Sequence, residues 1–240
     1  MCYNVSVKSS KEILQSKFEA EYEAAEDMQP YYQVSGFIHP KLPVIRSDNK
    51  GLIQHCAWGL IPSWVKDETQ AGEFRTMTLN AKAETIFEKP SFKYSIKKSR
   101  CLVLVDGFYE WKTAGKNKYP HFIYLKNKEP FAMGGIYSDW VNKATGEIIK
   151  TFSIITTEAN QLMADIHNTK KRMPLILSRE EEKKWIEPEL NEVEIKNIMK
   201  PFNENEMEAH TISKLITSRD RNTNVPEVSE HFHYTELALP

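Results

Sequence analysis

The sequence is poor in cysteine: Cys2, Cys56 and Cys101 are the only three in 240 residues. An odd and sparse set does not form a disulfide framework. No C-x-x-C pair and no group of histidines and cysteines has the spacing of a zinc site. These absences predict a reducing compartment, so we expect the protein in the cytoplasm.

Other common signals are also missing from the sequence. No apolar run approaches the roughly 18 residues of a membrane span, and the first residues lack the basic and apolar regions of a secretory signal. The motifs G-x-x-x-x-G-K-[ST] and G-x-G-x-x-G do not occur, which excludes the commonest phosphate-binding loops. We therefore expect no membrane association.

The charges nearly cancel overall, but they are unevenly placed. With 32 basic and 33 acidic residues, the net charge of −1 excludes a uniformly basic nucleic-acid coat. Residues 91–126 hold eight basic and two acidic side chains (+6), whereas residues 180–208 hold four and ten (−6). Either one face attracts phosphate and the opposite end repels it, or both segments are ordinary solvated surface.

The hydrophobic pattern predicts helices interspersed among many strands. A helix is predicted at 10–27, where Ser9 or Ser10 can cap apolar residues at helical spacing. Ser178 and Glu181 form a capping box before a helix that reaches residue 186, and a further helix is predicted at 191–199.

Short apolar runs predict the strands, at 54–60, 101–111, 152–156, 174–177 and 211–217. Residues 120–125 and 131–136 flank a turn-like stretch and predict a hairpin. Strict β-α alternation is absent, which favours an α+β fold with a curved, barrel-like sheet core and peripheral helices over a Rossmann sheet.

Cys2 is the first candidate for chemistry. Initiator methionine is usually removed before a small second residue, which would leave an α-amine and a thiol on Cys2. Such a 1,2-aminothiol condenses with an aldehyde to an imine, and the thiolate then closes a thiazolidine ring. The α-amine has a pKa of roughly 8, against roughly 10.4 for lysine, so far more of it is neutral at pH 7. An incidental cysteine at position 2 is the alternative.

Glu110 is the second candidate, because it lies between aromatic residues in the segment DGFYEW at 106–111. A carboxyl packed against aromatic walls has its charged form disfavoured, so its pKa rises toward the range useful for general acid–base catalysis. The alternative is a glutamate at a strand end that pairs with a surface lysine.

Four further residues have both a functional and a structural interpretation. His167 can shuttle protons near neutral pH, although a lone histidine is more often structural. Asn80 can cap a short helix. Trp58 and Trp64 surround a turn, where exposed rings can stack on nucleobases and buried rings belong to the core.

Taken together, these segments resemble the SRAP family (SOS-response-associated peptidase, the abasic-site processing proteins). The matching segments, in the family's order, are MC at 1–2, WGLIPSW at 58–64, NAKAET at 80–85, RCLVLVDGFYEWK at 100–112, TTEAN at 156–160, IH at 166–167 and RMP at 172–174. Each segment alone is weakly specific, whereas the ordered set is highly specific and spans nearly the whole chain.

The resemblance implies one SRAP domain over residues 1–240, whose chemistry needs no metal and no organic cofactor. The sequence does not report the oligomeric state, so a monomer is the default expectation. The resemblance further implies binding of single-stranded DNA that carries an abasic site, whose ring-opened sugar exposes an aldehyde. Cys2 would capture that aldehyde as a thiazolidine DNA–protein crosslink after removal of Met1. The family name suggests a peptidase activity, the imine permits a lyase activity, and binding to DNA would place the cytoplasmic protein at the nucleoid.

The resemblance also implies a role for each matching residue. Cys2 matches the family's nucleophile and Glu110 its catalytic glutamate. His167 matches the histidine that aids sugar ring opening and crosslink reversal. The asparagine that holds the N-terminal residue and the lesion corresponds to Asn80, and Trp64 matches a residue of the DNA-binding face.

Two departures from the family pattern concern DNA contacts rather than the covalent chemistry. Tyr3 and Asn4 stand where the family commonly has Gly-Arg, and Lys82 stands where it usually has a phosphate-contacting arginine. Lysine keeps the charge of arginine but not its bidentate geometry.

Two other functions stay open at this point. An N-terminal-nucleophile hydrolase or cysteine peptidase would use Cys2 as the nucleophile and His167 as the base, acting on amide bonds. A noncatalytic single-strand-binding module would use the two tryptophans and the basic stretch.

Overall fold

The computed structural model describes residues 2–23 and 29–237. Its strands are β1 (Asn4–Val7), β2 (Glu21–Tyr22), β3 (Tyr31–Ser35), β4 (Lys41–Arg46), β5 (Asn49–Trp58), β6 (Asn80–Lys82), β7 (Arg100–Val105), β8 (Gly107–Ala114), β9 (Asn117–Leu125), β10 (Phe131–Val141), β11 (Ile148–Glu158), β12 (Arg172–Pro174) and β13 (Met207–Thr211). Its α-helices are α1 (Lys11–Phe18), α2 (Glu68–Met77), α3 (Ser95–Lys98), α4 (Gln161–Ile166), α5 (Arg179–Trp185) and α6 (Glu192–Ile198).

Five strands close into a barrel. β4 pairs antiparallel with β5 and β7, β7 pairs with β10, and β10 pairs with β11. β11 then pairs in parallel with β5 at Thr151–Ala57 and Phe152–Trp58, which completes the ring. The α+β fold with a barrel-like core, expected from the sequence, is confirmed.

A second sheet lies beside the barrel in the order β13-β9-β8-β1-β3. β1 pairs with β8 only at Val5–Phe108 and Ser6–Gly107, so the rest of that edge of β8 is left for other partners. Because Val5 and Phe108 belong to the same apolar cluster as Val103 and Phe152 of the barrel, this sheet packs against the barrel. The start of the chain is thereby fixed inside the protein.

Both faces of β7 are buried, which explains the uninterrupted apolar run at 101–105. Val103 and Val105 pack into the cluster shared with the second sheet. Leu102 and Leu104 point the other way and pack with Trp185 of α5 and with α6. Alternate side chains of a strand point to opposite faces, so a strand between two apolar layers needs apolar residues throughout.

The capping signals locate helix starts better than helix ends. Ser10 caps α1, and both Ser178 and Asn191 form capping boxes, before α5 and α6. The helix predicted at 10–27 is too long: α1 ends at Phe18, where Glu19 adopts the left-handed conformation with φ of 54°. Residues 24–27 lie outside the described residues. No helix in the described part of the chain is long and apolar enough to cross a membrane.

The strand run at 101–111 is divided by Asp106. The Asp106 carboxylate accepts hydrogen bonds from the backbone N–H of Lys8 (2.6 Å) and Ser9 (2.9 Å). The chain then leaves the barrel and enters the second sheet at Gly107, where a Cβ would come within 2.7 Å of the Ile123 carbonyl oxygen. The single strand predicted here is therefore two strands in different sheets.

Two further local predictions are wrong. β9 and β10 do not form the predicted hairpin, because β9 pairs with β8 and β13 while β10 pairs with β7 and β11. The late strand is displaced: β13 ends at Thr211, and Lys214–Thr217 form a 3-10 helix. In both places the structure depends on strand pairing between distant parts of the chain. Local sequence patterns do not report such pairing.

Candidate active site

Cys2 lies immediately before β1 and is fully buried in the cluster between barrel and second sheet. Its carbonyl oxygen accepts a hydrogen bond from the side-chain Nδ2 of Asn80 at 2.8 Å. Burial raises the pKa of the Cys2 thiol well above its usual value, and the neighbouring Glu110 carboxylate raises it further. The thiol is therefore protonated at neutral pH and needs a base in order to react as a thiolate.

Asn80 is the first residue of β6, which pairs in parallel with β11 at Ile154. The strand conformation rules out the alternative role of a helix cap. Its side chain donates to Cys2, while its Oδ1 atom is buried and has no hydrogen-bond partner among residues 2–23 and 29–237. The amide thus holds the start of the chain and retains one acceptor, a position that a bound group can use.

Glu110 lies on β8 two residues after Phe108, so both side chains point toward the cluster that contains Cys2. The carboxyl group is 5% exposed. Burial raises the pKa of Glu110 to about 7. Near neutral pH this group therefore exists in both protonation states and can either accept or donate a proton.

His167 follows the last residue of α4 and lies beside Glu110. Its Nδ1 atom is 3.8 Å from Oε1 of Glu110 and 2.9 Å from the carbonyl oxygen of Arg172. We assign the ring proton to Nδ1, donating to that carbonyl oxygen. Burial lowers the pKa of His167, which favours the neutral imidazole at pH 7. A neutral imidazole and a carboxyl titrating near 7 form a pair able to move protons in either direction.

Asn168, which the sequence did not single out, fixes the turn that carries His167. Its Oδ1 accepts from the backbone N–H of Thr113 at 3.1 Å, and its Nδ2 donates to the Thr113 carbonyl oxygen at 2.8 Å. Thr113 is on β8 beyond the two residues that pair with β1, so the Asn168 amide fills an otherwise open stretch of that edge. The turn is thereby tied to the strand of Glu110.

Asn168→Ala is expected to lower the free energy of unfolding by about 1–3 kcal/mol, because it leaves two backbone groups without their partner. Urea denaturation at pH 7 measures the change. Asn205→Ala is the matched control: Asn205 is exposed and is expected to change stability by less than about 0.5 kcal/mol. Equal stabilities of the two variants would contradict an anchoring role for Asn168.

The raised pKa of Glu110 makes a second prediction, for stability against pH. At a pH between 4.5, the ordinary pKa of the carboxyl group, and about 7, Glu110 is ionised in the unfolded chain but still protonated in the folded chain. Stability is therefore lost as the pH rises through this window, by up to about 3 kcal/mol, and the full penalty is present above pH 7. Glu110→Gln removes it, so this variant is expected to gain stability over the wild type at pH 8 but not at pH 4.

Urea denaturation of both proteins at the two pH values tests this expectation. A constant difference between wild type and Glu110→Gln across the pH range would contradict the raised pKa.

A groove of about 530 Å³ opens beside Asn80. Lys82, at the end of β6, lines it with an exposed side chain, together with Lys89, Met77 and Phe74. Trp64 packs edge-on against Phe74 with ring centroids 5.1 Å apart, and it is 45% exposed. The structure therefore brings Asn80 and Lys82 to one groove and places Trp64 behind one of its walls.

Trp58, the other tryptophan of the pair, has a structural role. Trp58 is fully buried in the cluster that contains Cys2, and its indole N–H donates to the Leu79 carbonyl oxygen at 2.8 Å. That bond supports the chain immediately before Asn80. Trp58 therefore belongs to the core, whereas Trp64 is exposed.

The family model described as SOS response associated peptidase (SRAP) matches residues 1–219. The abasic site processing proteins YoqW and YoaM of Bacillus subtilis (strain 168) are 36% and 37% identical to this chain. The YoqW match covers 88% of each chain, and the YoaM match covers 82% of this chain and 84% of its own.

A crystal structure of a protein from Bacteroides thetaiotaomicron has the same fold. It is 40% identical in sequence with a TM-score of 0.90, and the match covers 97% of this chain and all of that one. The family model and the relatives agree with the resemblance drawn from the ordered segments. This chain belongs to the SRAP family.

Proposed function

We propose that this protein processes abasic sites in single-stranded DNA by forming a covalent thiazolidine crosslink through Cys2 after Met1 has been removed. One observation carries the proposal: Cys2 is held by Asn80 close enough to Glu110 for that buried carboxylate to act on its thiol, and His167 lies beside the same carboxyl group. Membership of the SRAP family and the names of its relatives in Bacillus subtilis support the choice of substrate. Met1 lies outside the described residues.

The chemistry starts with the aldehyde of the ring-opened deoxyribose. The neutral α-amine of Cys2 adds to the aldehyde carbon, and loss of one water gives the imine. The sulfur then bonds to the imine carbon while the thiol proton moves to the nitrogen, which closes the five-membered ring. The net reaction therefore joins protein and DNA with release of one water.

Each proton transfer in this reaction is assigned to an ionisable side chain of the site. Glu110 as carboxylate takes the proton of the α-ammonium group, and as carboxylic acid it protonates the hydroxide that leaves during imine formation. His167 assists sugar ring opening through its imidazole, which lies beside the same carboxyl group. Because burial raises the pKa of the Cys2 thiol, ring closure needs one of these groups as base.

The groove beside Asn80 is the proposed path of the DNA strand. Lys82 contributes a phosphate contact and Trp64 an aromatic surface. The net charge of +6 in residues 91–126 overstates the positive charge that this segment offers to DNA. Arg100 is fully buried, and its guanidinium donates to backbone carbonyl oxygens. Binding of undamaged DNA is therefore expected to be weak and sensitive to salt.

Two accompanying activities belong to the same proposal. The imine permits β-elimination, so a residual lyase activity accompanies crosslinking until ring closure removes the imine. Removal of Met1 is the proposed peptidase activity, by autoproteolysis.

We also propose that residues 1–240 form one domain. Asn224 lies beyond the residues that the family model matches, and its Oδ1 accepts a hydrogen bond from the backbone N–H of Tyr32 in β3 at 2.7 Å.

The test uses two single-stranded oligonucleotides, one with an abasic site and one with a tetrahydrofuran analogue that has no aldehyde. A species that survives denaturing electrophoresis is expected with the abasic strand alone. Hydrolysis of peptide substrates without any adduct would instead support the amide hydrolase. Binding of both strands without any adduct would support a noncatalytic module.

A further inference from the structure

Arg75, on α2, has no acidic partner among residues 2–23 and 29–237. It is half-buried, and its Nε atom is shielded from solvent without a hydrogen-bond acceptor in that part of the chain. Burial lowers the pKa of its guanidinium, as expected for a cation that has lost water and gained no anion. A buried charge is normally paired.

The other buried guanidinium groups follow that rule. Arg46 donates to the carboxylates of Asp48 and Asp139, at distances of 2.7–3.1 Å. Arg100 donates to several backbone carbonyl oxygens, among them that of Trp185 at 2.8 Å. Arg172 bonds to Glu84 and to the Thr156 carbonyl oxygen. The Nε atom of Arg172 also lacks an acceptor, but the rest of that guanidinium is bonded, whereas Arg75 has no ion pair among residues 2–23 and 29–237.

Arg75 is held where it is by the packing of α2. It lies four residues after the buried Ala71, so both are on the helix face that rests on the protein. Its backbone carbonyl oxygen lies 2.6 Å from the position of a Cβ on Gly59, which only a glycine allows. The guanidinium acts electrostatically on His39, whose Nδ1 is 2.8 Å from the Trp58 carbonyl oxygen.

This position is flanked by exposed apolar side chains and lies close to the groove. Phe74 and Met77, on the same helix, line the groove beside Asn80. On the other side, the turn before His39 presents Phe37 and Ile38, which are 55% and 72% exposed. Phe37 also packs against Tyr3, the neighbour of Cys2, with ring centroids 4.9 Å apart. An unpaired cation between two apolar surfaces fits a strand of alternating bases and phosphates.

We propose that Arg75 binds a phosphodiester group of the DNA strand next to the abasic site. This inference rests on the proposed function and names a further DNA contact for it. A guanidinium forms two parallel hydrogen bonds to a phosphate, which a lysine cannot do. Arg75 therefore supplies the bidentate contact that Lys82 does not.

The experiment measures binding of an undamaged single-stranded oligonucleotide to Arg75→Met over a range of salt concentrations. At low salt the dissociation constant is expected to rise about 10-fold, and the slope of log K against log salt to fall by about 0.7, the value of one phosphate contact on a single strand. Arg75→Lys should keep the wild-type slope with an intermediate affinity. Lys143→Met, which removes an exposed cation in the turn between β10 and β11, should change neither quantity.

Crosslinking to an abasic strand separates binding from chemistry. For Arg75→Met the half-saturating DNA concentration should rise about 10-fold, while the rate at saturating DNA stays at the wild-type value. Thermal unfolding should show no loss of stability, because the variant removes a charge that has no partner. An unchanged salt slope, or a loss of affinity matched by Lys143→Met, overturns the role of Arg75.

A different experimental result would contradict the proposed function. If the wild type forms no adduct with the abasic strand, the crosslinking proposal is wrong, whatever Arg75 does to binding. If the wild type forms the adduct and Arg75→Met has the wild-type salt slope, only the inference about Arg75 is wrong.

Discussion

Neither Cys2→Ala nor Cys2→Ser is expected to form a durable adduct with abasic single-stranded DNA. The comparison uses protein from which Met1 is absent by intact mass, so that both variants keep an α-amine that can form the imine. Neither has a thiol to close the ring, so the imine stays open to hydrolysis and is trapped only by borohydride reduction. Denaturing electrophoresis with and without reduction measures the difference.

The same variants should cleave the abasic strand more than the wild type does. The imine is the species from which β-elimination proceeds, and ring closure removes it. Cys56→Ala is the matched control, because Cys56 is also fully buried and burial raises the pKa of its thiol to about 12. This control should form the adduct as the wild type does. An adduct of Cys2→Ser as durable as that of the wild type would contradict the thiazolidine.

Glu110→Gln is expected to slow adduct formation by about 10²–10⁴-fold, the usual contribution of a positioned general acid–base group. Glutamine keeps the size of the side chain but cannot exchange a proton. Since burial raises the pKa of Glu110 to about 7, the wild-type rate should rise with pH through 7 as the carboxylate forms. In the variant this limb should move to the titration of the α-amine, at roughly pH 8.

Rates of adduct formation between pH 5 and 9, at saturating DNA, test this prediction. Glu182→Gln is the matched control, because Glu182 is another buried carboxyl whose pKa is raised by burial, on α5. That variant should keep the wild-type rate and pH profile. A Glu110→Gln profile with its limb still near pH 7 would assign the titration to another group.

The sequence predicted those parts of the fold that depend on local chemistry. Ser10, Ser178 and Asn191 cap helices because a side-chain oxygen at that position accepts from the first backbone N–H groups. The apolar run at 101–105 predicted a buried strand. Whether that strand continued past Asp106 depended on hydrogen bonds to Lys8 and Ser9, almost a hundred residues away, which no local pattern contains.

The residues of the candidate site also fall into two groups, those that the sequence indicated and those that only the structure reveals. Cys2, Glu110 and His167 have unusual reactivity or unusual neighbours in sequence, so chemistry alone pointed to them, and the family order added Asn80. Asn168 and Arg75 carry no such signal. Asn168 matters because an edge of β8 is open at Thr113, and Arg75 matters because none of the described residues neutralises it. Both are properties of the assembled structure.

The mass of the amino-terminal peptide after reaction with an abasic oligonucleotide is the most direct measurement. Nuclease and protease digestion of the denatured adduct, followed by fragmentation, locates the attachment. The proposed mechanism predicts a peptide that begins at Cys2, without Met1, and that carries the sugar fragment on both nitrogen and sulfur with the loss of one water. A sugar attached to a lysine, or to a peptide that still begins with Met1, would contradict it.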